Sequence, residues 1–171
     1  MIERDPLLAF SFYLSGRVNV LLGIADEIVE RLDQGISDEV IDGDRVGRAS
    51  ALMWLWTLGA YEIVRMLCQA ATCFSPSAQV EFKRLKKSLS IARMPAAKME
   101  MPGKKIPVIS NRSPDGLDVR NRDLLVGDPE SSPDISARLL IKEFANVFAA
   151  LTRDDVLGQH EDAYPHSQEE A

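Results

Sequence analysis

Between Ser50 and Tyr61 the chain carries no charge, and the surrounding segment Ala51–Leu67 is its longest apolar run. A run of that length reads as a helix buried over most of its surface. Glu62 and Arg65 interrupt it, three residues apart and therefore on one face. Taking ions out of water costs on the order of several kcal/mol each unless they find partners. The pair is thus expected to be a clamp inside the core or part of a site, and the residues leave both open.

At 171 residues, with 46% hydrophobic and 27% charged side chains, the chain has the size and composition of one ordinary globular domain. No segment approaches the roughly 20 apolar residues of a bilayer span. Pro6–Ala25 is broken by Ser15, Gly16, Arg17 and Asn19, and the Trp54 segment ends at Glu62. Met1–Asp5 holds acids where a secretory signal has only bases. A cytoplasmic location and no membrane contact are expected. Cys68 and Cys73 are read as small buried hydrophobes. Five residues apart on a helix they diverge by about 140°, and no histidine stands beside them for a metal.

Three segments open with a cap residue and a proline: Asp5–Pro6, Ser75–Pro76 and Ser132–Pro133. Apolar residues at three- and four-residue spacing predict a first helix from Asp5 to Gln34, about 45 Å long and stopped by Gly35. A polar connection, Ile36–Gly43, leads to a second helix over about Asp44–Cys73. A third runs from Pro76 to about Met94, where Pro95 ends or kinks it. The helical period disappears over about 96–131. There Ile106–Ile109 and Leu117–Val119 flank a turn at Asn111–Gly116, a pattern for a hairpin, and Leu124–Val126 could add a strand. The last helix is expected from Pro133 to about Leu151. These elements predict an all-α fold, an antiparallel bundle of four long helices with a small β-hairpin insert between helices three and four. One domain covers 1–157, followed by a flexible acidic tail at 158–171.

Three groups of residues could carry function. Arg17 and Asn19 interrupt helix one as Glu62 and Arg65 interrupt helix two. With Tyr61 they form either a polar core clamp or a pocket for an anion such as phosphate or a nucleotide. The second group is basic. From Lys83 to Arg122 there are 11 Lys and Arg against 3 acids, leaving 9 bases against 23 acids elsewhere. Lys83, Arg84, Lys86, Lys87, Arg93, Lys98, Lys104, Lys105, Arg112, Arg120 and Arg122 could line a surface for RNA or an acidic protein. The third group involves the histidines, of which there are two, His160 and His166.

Arg153, six intervening residues and His160, with polar Asp154 after the arginine, form a motif that resembles that of the HEPN family. That family consists of compact bacterial helical bundles, many of them metal-independent ribonucleases. The resemblance implies a pair working on RNA at a dimer interface, with Arg153 steadying a phosphate and His160 assisting 2′-hydroxyl attack. It also implies a defence or toxin–antitoxin setting.

No glycine-rich phosphate loop, His-Glu-x-x-His, Cys-x-x-Cys or Gly-x-Ser-x-Gly is present. No cofactor and no metal are expected. The leading expectation is a non-catalytic partner- or RNA-binding module. A homodimer is favoured by the apolar surplus around Trp54 and Trp56. The alternatives are a ribonuclease using Arg153 and His160, and an anion pocket around Arg17, Glu62 and Arg65.

Overall fold

The computed structural model describes residues 5–37, 39–98, 100, 106–107, 116–127 and 135–163. Most of these are helical, and a three-stranded antiparallel sheet accompanies the helices.

The first predicted helix is broken. Helix α1 (Leu7–Phe10) ends at Ser11, whose backbone is extended at φ −160° and ψ 118°, and α2 (Phe12–Gly35) begins anew. The serine hydroxyl accepts from the Leu14 amide at 3.3 Å, so a short polar side chain captures a donor that a continuous helix would use internally. Asp5 caps α1 through the Leu7 amide at 3.0 Å and also accepts from the buried Ser15 hydroxyl. The apolar period runs through the break because Leu7, Phe10 and Leu14 all face the core.

Gly35 closes α2 as expected, for a packing reason. A Cβ there would lie 3.0 Å from the Arg45 side chain, so its absence lets the next helix start close by. Asp42 caps α3 (Gly43–Gln69), accepting from the Asp44 and Arg45 amides at 3.1 Å. Trp56, fully buried, donates to the Leu21 carbonyl at 3.1 Å, and Gly59 lies against Leu21. Gly35 beside Val46 and Leu21 beside Trp56 make α2 and α3 antiparallel. By length and hydropathy α3 does reach the range of a bilayer span, contrary to the expectation, with 44% of its most apolar window buried. A core helix meets the same criterion, and the inner face of α3 (Met53, Trp56, Ala60, Val64, Leu67) lies in the core.

Helix α3 stops at Gln69 and a 3-10 turn, Ala71–Cys73, leads to α4 (Pro76–Lys98). Ser75 caps α4 through the Ala78 amide at 3.2 Å. Pro95 does not end this helix, which continues to Lys98. Proline removes the one N–H that would reach the Ile91 carbonyl, and the last four carbonyls lack intrahelical donors in any helix. One of them, that of Ala96, accepts from the Trp54 indole at 3.1 Å.

The strand expected at Leu124–Val126 forms and pairs with the Leu117 segment. Strand β1 (Gly116–Asp118) pairs with β2 (Asp123–Val126), Leu117 opposite Leu124, and β2 pairs with β3 (Ile135–Ser136). The turn between β1 and β2 is held by Asn121 on the Asp118 carboxylate, with Arg122 at φ 50°. Of the expected partner strand, Pro107 bridges to Glu100. Its remaining residues, Val108 and Ile109, and the turn residues 111–115 lie outside the described residues. Helix α5 (Ala137–Ala150) starts after the expected Pro133, which is also outside them, with Ser136 as its cap. Asp123, 4% exposed, accepts from the Ser136 hydroxyl and from the Leu124 and Arg138 amides.

After α5 the chain straps across the start of α4. Val156 bridges to Phe74, the Ser75 amide donates to the Asp155 carbonyl at 2.9 Å and the Leu157 amide to that of Cys73 at 2.9 Å. Residues Gly158–Ala163, read from sequence as the start of a loose tail, include a 3-10 turn at His160–Ala163. The Cys73 thiol donates to the Gln159 carbonyl, and the His160 ring meets Phe10 edge-on at 5.5 Å. Residues 164–171, including His166, lie outside the described residues. The core is one connected cluster, in which Phe10, Phe74 and Phe82 touch in sequence, as do Trp56, Phe144 and Phe148.

Candidate functional site

Glu62 and Arg65 are not buried. Their side chains are 44% and 38% exposed, and Arg65 Nε donates to Glu62 Oε2 at 2.7 Å. The uncharged segment before them misleads because α3 buries only its inward half. Trp54 and Leu55 in that same segment are 47% and 53% exposed.

The outer faces of α2 and α3 carry the exposed apolar side chains Phe12, Tyr13, Val20 and Leu55. On α2, Phe12, Tyr13, Gly16, Val20, Gly23 and Ile24 project within an arc of about 120°. Phe12 is 83% exposed and Val20 57%. Between the helices runs a groove of about 330 Å³, with Tyr13, Arg17, Val20 and Ile24 on one wall and Gly59, Glu62 and Met66 on the other. Gly59 contributes to its depth, since a Cβ there would meet Leu21 on the floor at 3.1 Å.

Two ions sit in this apolar face, one on each wall. The Arg17 guanidinium lies over the Tyr13 ring at 4.8 Å and makes no ion pair among the described residues. On the far side, Glu62 Oε1 is 3.6 Å from Arg93 of α4, whose guanidinium stacks on Tyr61 at 4.6 Å. Arg93 Nε is buried with no hydrogen-bond partner. The expected polar core of Arg17, Asn19, Tyr61, Glu62 and Arg65 is therefore a surface arrangement. Asn19 belongs elsewhere, lining a cleft of about 400 Å³ between α2 and α5 with Asp5 and Phe148. Arg93, placed by its sequence in the basic run, is the partner that sequence reasoning missed. Its 31-residue separation from Glu62 carries no periodic signal. Tyr13 and Arg17, four apart on a helix, carry a spacing signal that sequence reasoning did not use.

The basic run is divided by the fold. Arg84 is held by Glu81 at 2.7 Å and Glu143 at 3.8 Å, and Arg93 by Glu62. Lys83, Lys86, Lys87 and Lys98 project from α4 without an ion pair among the described residues. Burial pushes the Cys68 thiol above its ordinary pKa, opposed by the nearby Lys86 and Lys83 ammonium groups. Arg120 and Arg122 stand at the β1–β2 turn, where the Arg122 carbonyl accepts from the Arg138 guanidinium. Lys104, Lys105 and Arg112 lie outside the described residues.

Arg153 and His160 sit in two short 3-10 turns after the last helix. They line adjoining clefts of about 390 and 340 Å³ that share Ala9 and Gln159. Arg153 is exposed and donates to the Val156 carbonyl at 2.8 Å, while His160 is half-buried against Phe10. Among the described residues no group of three or more His, Cys, Asp or Glu side chains could hold a metal. No family model matches the chain, and no curated protein or solved structure matches it either.

Proposed function

We propose that the chain is a non-catalytic binding module that docks a protein partner on the outer face of α2 and α3. Helices α2 to α5 act as an antiparallel four-helix bundle that presents this face. The observation carrying the reading is an apolar groove lined by exposed Tyr13 and Val20, with exposed Phe12 and Leu55 on the same two helices. Exposed apolar area of this kind, rimmed by polar groups, marks interaction surfaces rather than catalytic clefts. RNA is disfavoured as the ligand there, because a phosphate backbone is held by several cations and this face carries Arg17 with the paired Arg65 and Arg93 around one carboxylate.

The test is site-specific photo-crosslinking in cells expressing the chain. A photoreactive residue at Val20 or Leu55 is expected to give a discrete protein adduct. The same residue at Val80 or Leu139, equally exposed but off the face, is expected to give none. Adducts at all four positions, or at none, would remove the reading.

A second reading is favoured by one observation, the three exposed or half-exposed lysines Lys83, Lys86 and Lys87 on neighbouring turns of α4. They support an RNA contact, in keeping with the HEPN-like motif and a defence role. Binding that falls steeply with salt and is lost when all three are changed to Glu is the expected result. Salt-insensitive binding would end it.

A further inference from the structure

We infer that the partner docked on α2 and α3 is a second copy of this chain, related by a two-fold axis through the groove between Arg17 and Glu62; this rests on the binding-module reading above. A two-fold interface is self-complementary: where one residue of a copy meets a second residue of the other, the reverse contact forms as well. The groove has that property. It carries Arg17 on the α2 wall and Glu62 on the α3 wall. Rotation by 180° about an axis between them sets Arg17 of each copy over Glu62 of the other, so two ion pairs form.

Both ions are available for this. Arg17 is exposed and touches only the Tyr13 ring among the described residues. The Glu62 carboxylate is 44% exposed; Arg65 holds its Oε2 at 2.7 Å, while its Oε1 lies 3.6 Å from Arg93 and keeps room for a closer donor. The same rotation lays Tyr13 and Val20 of each copy against the α3 wall of the other. Gly16 and Gly23, with open space where a Cβ would stand, allow a second helix to approach α2 closely. A lipid surface would strand Glu62 in hydrocarbon. Arg17, without an ion pair among the described residues, facing the half-exposed Glu62 carboxylate across one apolar groove fits a second copy.

Sedimentation equilibrium on the full chain tests this by charge exchange. The wild type is expected to dimerise. Arg17→Glu and Glu62→Lys each place like charges opposite one another and should weaken association about ten-fold or more. An equimolar mixture of the two variants should associate again. In the mixed dimer the carboxylate introduced at position 17 of one copy meets the ammonium introduced at position 62 of the other, and the remaining native Arg17 and Glu62 meet each other. Circular dichroism checks that each variant folds; if either fails, Val20→Lys provides the same disruption at an exposed helical position. A monomeric wild type, single variants that dimerise as tightly as wild type, or a mixture that stays monomeric would overturn the second copy. The crosslinked adduct separates the two readings. An adduct of twice the chain mass supports the dimer. An adduct with another protein overturns it and leaves the module standing, and no adduct removes both.

Discussion

The Trp56 indole reaches across from α3 to donate to the Leu21 carbonyl of α2 at 3.1 Å, in a position fully shut off from solvent. This bond fixes the spacing of the two helices directly beneath the groove. Trp56→Phe keeps most of the apolar contact but loses the donor and some volume. A loss of about 1 to 3 kcal/mol in stability is expected from urea unfolding. An unchanged midpoint would mean that the helices hold their spacing without it.

Glycines on α3 should respond differently by position. Gly47 has nothing within 4 Å of an added Cβ, so Gly47→Ala should stabilise by about 1 kcal/mol through helix propensity alone. Gly59→Ala gains the same propensity but presses on Leu21 at 3.1 Å, and its net effect is expected to be smaller. Paired thermal melts compare the two, and equal shifts would mean Leu21 moves aside without cost.

Arg93→Met tests how much the Glu62 cluster contributes. The variant loses a 3.6 Å ion pair and a stacking contact on Tyr61, each worth about 1 kcal/mol or less. It also removes a buried Nε that has no partner. The terms oppose, so a change below about 1 kcal/mol is expected from denaturant unfolding. A loss above about 2 kcal/mol would show the cluster to be a structural clamp.

The strap after α5 makes stability depend on acid. Asp155 is held below the usual carboxylate range first by the Ser75 hydroxyl, then by the Thr152 hydroxyl and amide. A depressed folded pKa stabilises above the ordinary carboxylate range and is lost as pH falls through the folded value. Between about pH 4 and 2, wild type should therefore lose stability more steeply than Asp155→Asn, read from urea midpoints at each pH. Parallel curves would remove Asp155 from the acid response.

His160→Ala separates packing from chemistry. Losing the edge-on contact with Phe10 at 5.5 Å should cost about 0.5 to 1.5 kcal/mol. RNA incubated with the wild-type chain is expected to remain intact. Cleavage by wild type that disappears in His160→Ala would replace the binding-module reading with a ribonuclease.

Local chemistry is readable in this sequence and tertiary chemistry is not. Ser75–Pro76 marks the α4 start and Gly35 the α2 end because cap and stop residues act within a few positions of themselves. The break at Ser11 is hidden, since Leu7, Phe10 and Leu14 keep helical spacing while one hydroxyl redirects the backbone. The strand at Leu124–Val126 is visible as an apolar run, but its register against Leu117 comes from the fold, since Leu117 has apolar segments on both sides. Lack of charge over Ser50–Tyr61 suggests burial, whereas Leu55 points to solvent; composition reports hydrophobicity, not which side faces inward. Of the candidate site, Glu62 and Arg17 are visible as interruptions, but Arg93 enters only through the packing of α4 on α3.

The shielded Asp123 carboxylate joins two elements that the sequence keeps apart, accepting at once from β2, from the end of β3 and from the opening turn of α5. Neither the sheet nor that turn can open without stranding an anion in the interior. Amide hydrogens in Leu124–Val126 and Arg138–Leu140 should therefore exchange with solvent at a common rate, as a single cooperative unit.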